Sequence, residues 1–330
     1  MGTGEQFAAW IRDVNPEATF SMISNPEFLR EGLAVSDFLH PDRVVVGTET
    51  EEAKAMMANL YAPLANRSVP ILYIDIKSAE LSKYAANGFL AAKIAYVNDL
   101  ASFCDRTGAN IDHVVAGLGS DKRIGPGYLQ PGPGFGGSCF PKDTLALKHM
   151  GRIHGMPLLL AEAVIQANET HKRRMIDKIE QALGGSIAGK QLGILGLAFK
   201  ANTDDTRESS ALFIVDALLK KGASLRVHDP IVTLEKAELS SEKIVWANDV
   251  IDAAAQADAL IILTEWPQFM HIDWSLLKTK MRLGARGNPL LIDLRNLFAI
   301  EKMAKLGFDY VSLGRSLKRL SVPCVEEIDA

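Results

Sequence analysis

The sequence beyond Gly184 and Gly185 alternates short apolar runs with amphipathic segments, and this alternation restricts the fold more than any other feature. Each run has the length and composition of a buried strand, and a helical pattern at residues 209–221 follows the first of them. The runs lie at residues 190–196, 224–228, 259–264, 289–293 and 310–313. This spacing predicts an α/β fold, with a parallel sheet and helices on its faces.

The first 75 residues contain the same kind of alternation in a shorter form. Strands are predicted at residues 43–47 and 69–74, and helices at residues 5–14 and 51–61. Two strands and two helices are too few for a self-sufficient α/β domain. We therefore interpret residues 1–75 as the last part of a larger doubly wound domain.

A long alanine-rich helix is predicted at residues 78–105, with Ser78 as its N-cap. It would be about 40 Å long. Lys83 and Asn87 are four residues apart and would share one face, although on a solvated face such a pair carries no function. The predicted divisions of the chain are residues 1–75, 76–183, 184–316 and a tail at 317–330.

Composition excludes several classes of partner. The chain has 330 residues and a net charge of −4, which does not favour binding to nucleic acid or to an anionic membrane. Cys104, Cys139 and Cys324 are odd in number and far apart, so we expect neither a disulfide framework nor a zinc site. No apolar run approaches a membrane span and no signal peptide opens the sequence. These features predict a cytoplasmic protein without a bound metal.

Residues 132–143 (GPGFGGSCFPKD) form the most distinctive local motif. Pro141 suits the first turn of a helix, which we expect to continue to about Met150 and to end at Gly151 or Gly155. Cys139 would then precede a helix N-terminus, where the thiolate, the nucleophilic form, is favoured. The glycines would let a substrate approach the backbone closely. A buried structural cysteine is the alternative, and the nearby charges of the motif favour a nucleophile.

Two features resemble parts of a dinucleotide site. Gly132, Gly134 and Gly137 fit the pattern G-x-G-x-x-G, but no strand is predicted before them, so we reject this match. Asp229 follows the second strand of the regular α/β region, where a ribose-binding carboxylate is found in dinucleotide-binding folds.

Six motifs, taken together and in order, resemble the UDP-glucose 6-dehydrogenase family, with similarity from Gly2 to about Arg315. They are residues 25–32 (NPEFLREG) with 40–43 (HPDR), 79–87 (AELSKYAAN), 123–126 (RIGP), 134–143 (GFGGSCFPKD), 196–200 (GLAFK) and 205–210 (DTRESS). The resemblance implies two Rossmann-like doubly wound domains, the first truncated, joined by a long central helix that also builds a homodimer interface. The second domain would hold UDP, so Asp229 is not assigned to NAD.

The resemblance also implies an NAD-dependent oxidation of the C6 hydroxyl of UDP-glucose to a carboxylate, in two steps. Cys139 would form a thiohemiacetal and then a thioester, which water hydrolyses. Lys83 matches a lysine that stabilises oxyanion charge, and Asn87 would hold the sugar beside it. Asp143 matches the carboxylate that positions the catalytic water, and Glu27 matches the general base for hydrolysis.

Further contacts are implied by the same resemblance. Besides Lys83 and Asn87, the residues expected to bind the substrate are Phe28, Leu29, Arg30, Arg123, Tyr128, Gln130, Gly136, Phe199, Lys200 and Arg295. Arg123 is expected to reach a neighbouring subunit. The cofactor contacts are expected at Glu31, Cys139, Lys142 and Arg207. From the sequence alone, Arg207 could instead pair with Asp204 or Glu208, and Arg295 with Asp293.

The strand, glycine turn and helix that hold the NAD pyrophosphate in this family have no match in the sequence. Two alternatives to a UDP-glucose dehydrogenase therefore stay open. One is another nucleotide-sugar dehydrogenase, acting on GDP-mannose or UDP-N-acetylmannosamine. The other is a non-catalytic fragment that binds UDP-sugars or dimerises.

Overall fold

A computed structural model describes residues 1–315 of the chain. The predicted tail at 317–330 lies outside the described residues. The chain divides into two compact units. Unit 1 comprises Met1–Phe89 with Lys142–Glu162, and unit 2 comprises Leu90–Pro141 with the described residues from Ala163 onward. The predicted division into four segments stays a prediction.

The helices and strands are numbered in chain order. The α-helices are α1 (Thr3–Val14), α2 (Ala34–Leu39), α3 (Glu51–Leu60), α4 (Ala62–Ala65), α5 (Ile76–Thr107), α6 (Ile111–Ser120), α7 (Phe140–Ile153), α8 (Leu159–Ala182), α9 (Ser210–Lys220), α10 (Val250–Ala253), α11 (Trp274–Lys280) and α12 (Ile300–Lys305). The strands are β1 (Ile23–Ser24), β2 (Val44–Thr48), β3 (Ile71–Ile74), β4 (Gln191–Leu195), β5 (Ser224–His228), β6 (Ile244–Trp246), β7 (Ala259–Ile262), β8 (Leu290–Asp293) and β9 (Asp309–Ser312). Pro267–His271 forms a 3₁₀-helix.

Unit 1 contains a three-stranded sheet in the order β1-β2-β3. Strands β2 and β3 are parallel, as the two predicted apolar runs require, and β1 pairs antiparallel with β2. The core of this sheet is small, and its buried members are Val44, Val46, Met57 and Leu64. A core of this size stabilises the unit only modestly, because stabilisation follows the apolar area removed from water.

Helix α5 is longer than predicted and begins earlier. It has 32 residues and starts at Ile76, so the prediction of Ser78 as N-cap is wrong. Asp75 supplies the cap instead, because its Oδ1 accepts a hydrogen bond from the Ser78 N–H at 2.8 Å. The small side chain of Ala79 lets α5 pack tightly on β2. A Cβ added at Gly47 of β2 would lie 2.5 Å from the Ala79 methyl group.

Unit 2 is built on a six-stranded parallel sheet with the order β6-β5-β4-β7-β8-β9. This is the doubly wound arrangement of a Rossmann-like domain, in which the strand order reverses between the first and fourth strands. Its central strands are completely buried, as their continuous apolar runs predict; Ile194, Ile261 and Ile292 have no exposed surface. The reversal between β4 and β7 leaves a crevice at their carboxyl ends, where ligands bind in such sheets. The predicted fold class is confirmed.

Helix α7 continues through Gly151 and ends at Ile153, with Gly155 just beyond it in the left-handed region at φ 69°. Of the two predicted ends, the structure therefore supports Gly155. Strand β6 was not predicted, because it has only three residues and its middle residue is exposed.

Residues 1–315 contain neither a membrane-spanning helix nor a cluster of metal-binding side chains. Within this part of the chain, no helix combines the length and the apolar character that crossing a membrane requires. The same residues bring together no group of three or more histidine, cysteine or acidic side chains that could hold a metal ion.

Candidate active site

Cys139 occupies the position that the sequence predicts for a nucleophile. It lies directly before the first residue of α7, a helix of 14 residues. Its thiol is free and half-buried, and the Ser138 Oγ lies 3.5 Å from its Sγ. Unpaired N–H groups at a helix N-terminus stabilise negative charge, so this end of α7 suits an anionic group.

The glycines before Cys139 let other groups come close to their backbone. In this structure, the groups that come close belong to the chain itself. A Cβ at Gly136 would lie 2.2 Å from the carbonyl oxygen of Glu208, and one at Gly137 would lie 2.7 Å from the Phe199 ring. The Gly137 N–H also donates to the Arg207 carbonyl at 2.9 Å. The segment that precedes the cysteine is therefore pressed onto residues 199–208, and no larger residue fits there.

Three buried polar side chains hold the start of this glycine loop, and no pattern in the sequence marks any of them. Asn168 makes two bonds to Phe135, accepting from its N–H at 2.9 Å and donating to its carbonyl at 3.0 Å. Asn98 Oδ1 accepts from the Gly132 N–H at 2.9 Å. His171 Nε2 lies 2.8 Å from the Gly132 carbonyl. Helices α5 and α8 thus fix the backbone of the loop from residue 132 to residue 135.

Burial gives His171 an unusually low pKa. Desolvation lowers its pKa to about 4, although the bond to the Gly132 carbonyl acts in the opposite direction. The ring is therefore neutral at pH 7 and donates to that carbonyl through its Nε2–H, while its buried Nδ1 has no hydrogen-bond partner among residues 1–315. Protonation would keep this bond but would place a charge in a buried position, and the loss of solvation makes that charge unfavourable.

Within unit 1, Lys83 and Glu27 form a close ion pair. Lys83 Nζ lies 2.7 Å from Glu27 Oε1 and 2.6 Å from the Glu27 carbonyl oxygen. Burial raises the pKa of Glu27, but the bonds from Lys83 and from the Leu29 N–H and the charge of Lys83 outweigh it, so the net pKa is lowered. Glu27 is therefore an anion at neutral pH and can accept a proton.

Asp143 is completely buried in unit 1 and has two polar neighbours. Asn87 Nδ2 donates to its Oδ2 at 2.6 Å, and Lys142 donates to its Oδ1. Since Lys83 and Asn87 are one turn apart on α5, the helix places a cation and an amide side by side, as predicted. Unit 1 thus combines three carboxylates (Glu27, Glu31 and Asp143), two lysines, one arginine and one amide among its candidate residues.

The motif around residues 25–32 adds an aromatic ring and a further ion pair to unit 1. The Phe28 ring lies under the guanidinium of Arg43, whose carbon is 3.7 Å from the ring centre. Arg30 is held in a two-bond contact with Asp37, at 2.9 and 2.7 Å. Leu29 donates its N–H to Glu27 Oε2 at 2.6 Å, and Glu31 is half-buried.

In unit 2, three of the predicted substrate residues lie at the crevice where the strand order reverses. Phe199 and Lys200 follow β4, and Arg295 follows β8. Arg295 donates to the carbonyls of Leu263 at 2.8 Å and Phe199 at 2.9 Å. Its guanidinium pairs with Glu265 at 3.1 Å, whereas only its backbone N–H meets Asp293, so the suggested Arg295–Asp293 salt bridge is wrong.

The other arginines predicted to bind ligands also have acidic partners. Arg207 forms a two-bond pair with Asp205, at 2.9 and 2.8 Å, an acidic neighbour that the sequence analysis did not suggest as its partner. The exposed Arg123 pairs with Asp121 at 2.6 Å. Gln130 is exposed, and Tyr128 adopts the left-handed region at φ 63° and meets the Phe140 ring edge-on at 6.1 Å. A non-glycine residue in this region is strained, which is common at functional sites.

Asp229 does not serve as a ribose ligand in this fold. Its carboxylate is buried and accepts five N–H groups of the chain. The donors are the backbone amides of Leu197 at 2.7 Å, Ala198 at 3.2 Å, Ile231 at 2.9 Å and Val232 at 2.8 Å, and Trp266 Nε1 at 3.1 Å. Both carboxylate oxygens are therefore occupied, and little acceptor capacity remains for a sugar hydroxyl.

The comparisons with known proteins agree with this arrangement. Residues 1–65, 77–170 and 193–300 match, respectively, the NAD binding, central and UDP binding domains of the UDP-glucose/GDP-mannose dehydrogenase family. The chain is 44% identical over 317 residues to the UDP-glucose 6-dehydrogenase of Rhizobium meliloti, covering 96% of this chain and 71% of that protein. The chain belongs to the UDP-glucose/GDP-mannose dehydrogenase family.

Solved structures of similar proteins share the fold. A UDP-glucose dehydrogenase from Pyrobaculum islandicum superposes with a TM-score of 0.82 and 37% identity, over 94% of this chain and 67% of that one. An NDP-N-acetyl-D-galactosaminuronic acid dehydrogenase from Methanosarcina mazei gives 0.79 and 26%, over 95% and 67%. The chain therefore spans about two thirds of the length of these relatives.

The family match assigns residues 1–65 to an NAD binding domain, and the chemistry of the candidate cofactor residues fits part of that molecule. Lys142 and Arg207 are cations suited to phosphate, and Glu31 is a carboxylate suited to ribose hydroxyls. The glycine turn that would hold the pyrophosphate is not present among residues 1–65. Glu31, Lys142 and Arg207 therefore stay candidates for contacts to the cofactor.

Proposed function

We propose that this chain carries the nucleophile and the nucleotide-sugar site of an enzyme that oxidises UDP-glucose to UDP-glucuronate with NAD. The observation that carries the proposal is the position of Cys139. Its thiol lies at the start of α7, after a glycine loop that buried side chains hold in place. Family membership and the names of the relatives support the choice of reaction.

In this proposal, NAD supplies the acceptor for the hydride lost from C6 in each of the two oxidations. The Cys139 thiolate attacks the C6 aldehyde and forms a C–S bond, giving a thiohemiacetal. Loss of a hydride from this adduct leaves a thioester on the same sulfur. Water then cleaves the C–S bond and releases the carboxylate and the thiol.

The polar groups of unit 1 have separate roles in this sequence. Lys83 provides positive charge for the oxyanion that develops at C6. Its ion pair with Glu27 keeps that carboxylate ionised, which is the form needed in a general base for thioester hydrolysis. Asn87 holds the sugar, and Asp143, fixed by the Asn87 amide, orients the water.

Unit 2 provides the nucleotide site in the same proposal. Lys200 and Arg295 carry the charge for a diphosphate, and the Phe199 ring gives an apolar surface at the crevice. Phe28, Leu29 and Arg30 are further substrate contacts proposed from the family resemblance. The remaining substrate contacts proposed are Arg123, Tyr128, Gln130 and Gly136. We propose a homodimer in which Arg123 reaches the neighbouring subunit, and a cytoplasmic location.

The decisive experiment measures NADH and UDP-glucuronate formed from UDP-glucose and NAD by the wild type, Cys139→Ala and Cys104→Ala. Cys104 is a second free cysteine, buried in the core, and serves as the matched control. We expect acid formation in the wild type and Cys104→Ala, and none in Cys139→Ala. Acid formation at the wild-type rate by Cys139→Ala would disprove the assignment of Cys139 as the nucleophile.

The sugar specificity is tested by comparing UDP-glucose with GDP-mannose and UDP-N-acetylmannosamine. The structural similarity to an enzyme named for a different sugar shows that the shared fold does not determine the sugar. We expect the highest kcat/KM with UDP-glucose. A higher kcat/KM with either competitor would reassign the substrate within the family.

A second candidate function is a UDP-sugar-binding protein without redox activity. The observation that favours it is the match of residues 193–300 to a UDP binding domain, which needs no redox chemistry to bind a UDP-sugar. Calorimetry with NAD separates the two functions. NAD binding with turnover supports the dehydrogenase, whereas UDP-glucose binding without NAD binding supports the second function.

A further inference from the structure

The carboxylate of Asp229 joins three segments at the carboxyl end of the unit 2 sheet. Its Oδ2 accepts from the amides of Leu197 and Ala198, which follow β4, and from the Trp266 indole, which follows β7. Its Oδ1 accepts from the amides of Ile231 and Val232, which follow β5. Only 5% of the residue is exposed, so these bonds are made out of water, where an ionised acceptor binds its donors strongly.

The segment that Asp229 holds leads directly into the nucleotide site. Leu197 and Ala198 are followed by Phe199 and Lys200, two of the residues proposed to contact the substrate. Residues 196–209 connect β4 to α9 without a regular element. Within this connection, the Phe199 N–H donates to the Asp205 carbonyl at 3.1 Å and Ser209 Oγ donates to the Leu197 carbonyl at 2.7 Å. The rest of its conformation comes from bonds to its neighbours.

Other side chains fix the same connection at its carbonyls and further along. Thr264 donates to the Ala198 carbonyl at 2.6 Å, and Arg295 donates to the Phe199 carbonyl at 2.9 Å. The Ala201 N–H donates to Glu265 at 3.3 Å. Asp229 is the group that holds the amides immediately before Phe199, and none of the other contacts replaces it.

The position of these amides also bears on what the crevice can bind. In dinucleotide-binding sheets, the amides that follow the first strand bind the pyrophosphate. In this sheet an internal carboxylate occupies them, so a diphosphate must be bound by side chains such as Lys200 and Arg295. The position of Phe199 and Lys200 therefore decides the affinity for the nucleotide.

We propose that Asp229 is a positioning residue for nucleotide binding, which holds the connection after β4 so that Phe199 and Lys200 meet the nucleotide diphosphate. This inference rests on the proposed nucleotide site of unit 2. Asp229 itself does not contact the ligand. It acts by ordering the connection before binding, which lowers the entropic cost of binding.

Asp229→Asn tests this role. Asparagine has the same shape, but its NH₂ group replaces one carboxylate oxygen, so it would face N–H donors and could not accept their hydrogen bonds. Asp258→Asn is the matched control. Asp258 accepts from the Gln191 N–H at 2.7 Å and pairs with Arg282 at 3.2 Å, at the opposite, amino end of the same sheet. Both substitutions remove one sheet-end carboxylate, so both are expected to lower the melting temperature.

The measurement is calorimetric titration with UDP of the full chain, at a temperature below both melting transitions. We expect the Kd for UDP to rise about tenfold or more in Asp229→Asn and to stay within about twofold of the wild type in Asp258→Asn. Equal UDP affinity in folded Asp229→Asn and in the wild type would overturn the positioning role alone. Lack of UDP binding by the wild type would instead overturn the proposed nucleotide site, and the inference with it.

Trp266→Phe gives a second test if Asp229→Asn does not fold. It keeps an aromatic ring in the buried position and removes one of the five donors. We expect the UDP Kd to rise about threefold, because one hydrogen bond to the carboxylate is lost. An unchanged Kd in this variant would overturn the inference.

Discussion

Lys83 is the residue at which chemistry and binding can be separated most clearly. A charge that stabilises an oxyanion acts mainly in the transition state, and removing one such donor lowers turnover by about 100-fold to 1000-fold. We predict that Lys83→Ala lowers kcat by about that factor and changes the KM for UDP-glucose by less than about threefold. Steady-state kinetics with both substrates varied checks this expectation.

Lys77→Ala is the matched control for Lys83→Ala. Lys77 lies on the same helix α5 and pairs with Glu5 at 2.8 Å, with half of its side chain exposed. Exposed ion pairs contribute little to stability, so the activity of Lys77→Ala should equal that of the wild type. A rise in KM with unchanged kcat in Lys83→Ala would assign Lys83 to substrate binding alone.

At the scale of elements, the glycine loop before α7 is the part whose shape decides the position of the nucleophile. A side chain at residue 136 would collide with the backbone carbonyl of Glu208, which cannot move like a flexible side chain. We predict that Gly136→Ala destabilises the fold by about 1–3 kcal/mol and lowers activity by about 100-fold through displacement of the loop. Gly127→Ala is the control, because no atom lies within 4 Å of its added Cβ.

Thermal melts and activity of the two glycine variants provide the check. The Gly127→Ala variant should match the wild type in both measurements. Wild-type activity in Gly136→Ala would show that the loop adapts and that its close packing on residues 199–208 does not position Cys139.

Helix α8 carries a pH-dependent contact to the same loop through His171. The folded protein holds this histidine neutral, with a pKa of about 4, whereas in the unfolded chain its pKa is near 6.5. The unfolded state therefore binds the extra proton first, so stability is complete above about pH 6.5 and is lost as the pH falls toward 4. We predict that acidification from pH 7 to pH 5 lowers the free energy of unfolding by about 2 kcal/mol through His171.

Urea unfolding at pH 7 and pH 5 tests this contact in the wild type, His171→Gln and His149→Gln. A glutamine at residue 171 can donate to the Gly132 carbonyl without gaining a charge, so it should lose about 2 kcal/mol less on acidification than the wild type. His149 is exposed on α7, and its replacement should leave the wild-type response intact. Equal acid sensitivity in all three proteins would exclude His171 as its source.

Elements with strong local signals could be predicted from the sequence, and those fixed by distant contacts could not. Strand β5 was predicted with its exact bounds, and the predicted helix at 209–221 agrees with α9 because Ser209 is a true N-cap. Ser78 failed as a cap because Asp75, three residues earlier, competes for the same role. The Asn98 side chain bonds to the backbone N–H of Gly132, 34 residues away in the sequence. No sequence pattern marks such a contact.

For the whole molecule, the two units differ in the size of their cores, and this difference predicts two steps of unfolding. The main core of the chain lies in unit 2 and includes the six-stranded sheet, whereas the sheet of unit 1 packs on four buried residues. Since stability follows buried apolar area, unit 1 should unfold at a lower urea concentration than unit 2. Such a chain departs from two-state behaviour.

The tryptophans allow the two steps to be observed separately. Trp246, Trp266 and Trp274 lie in unit 2, and Trp10, the fourth, is largely exposed in unit 1. Fluorescence should therefore report mainly the unfolding of unit 2, while circular dichroism should also detect the earlier loss of the unit 1 helices. UDP at about 100 times its Kd should add about 2.7 kcal/mol to the fluorescence transition and leave the earlier transition unchanged. Coincident fluorescence and dichroism curves, shifted together by UDP, would show that the two units unfold as one.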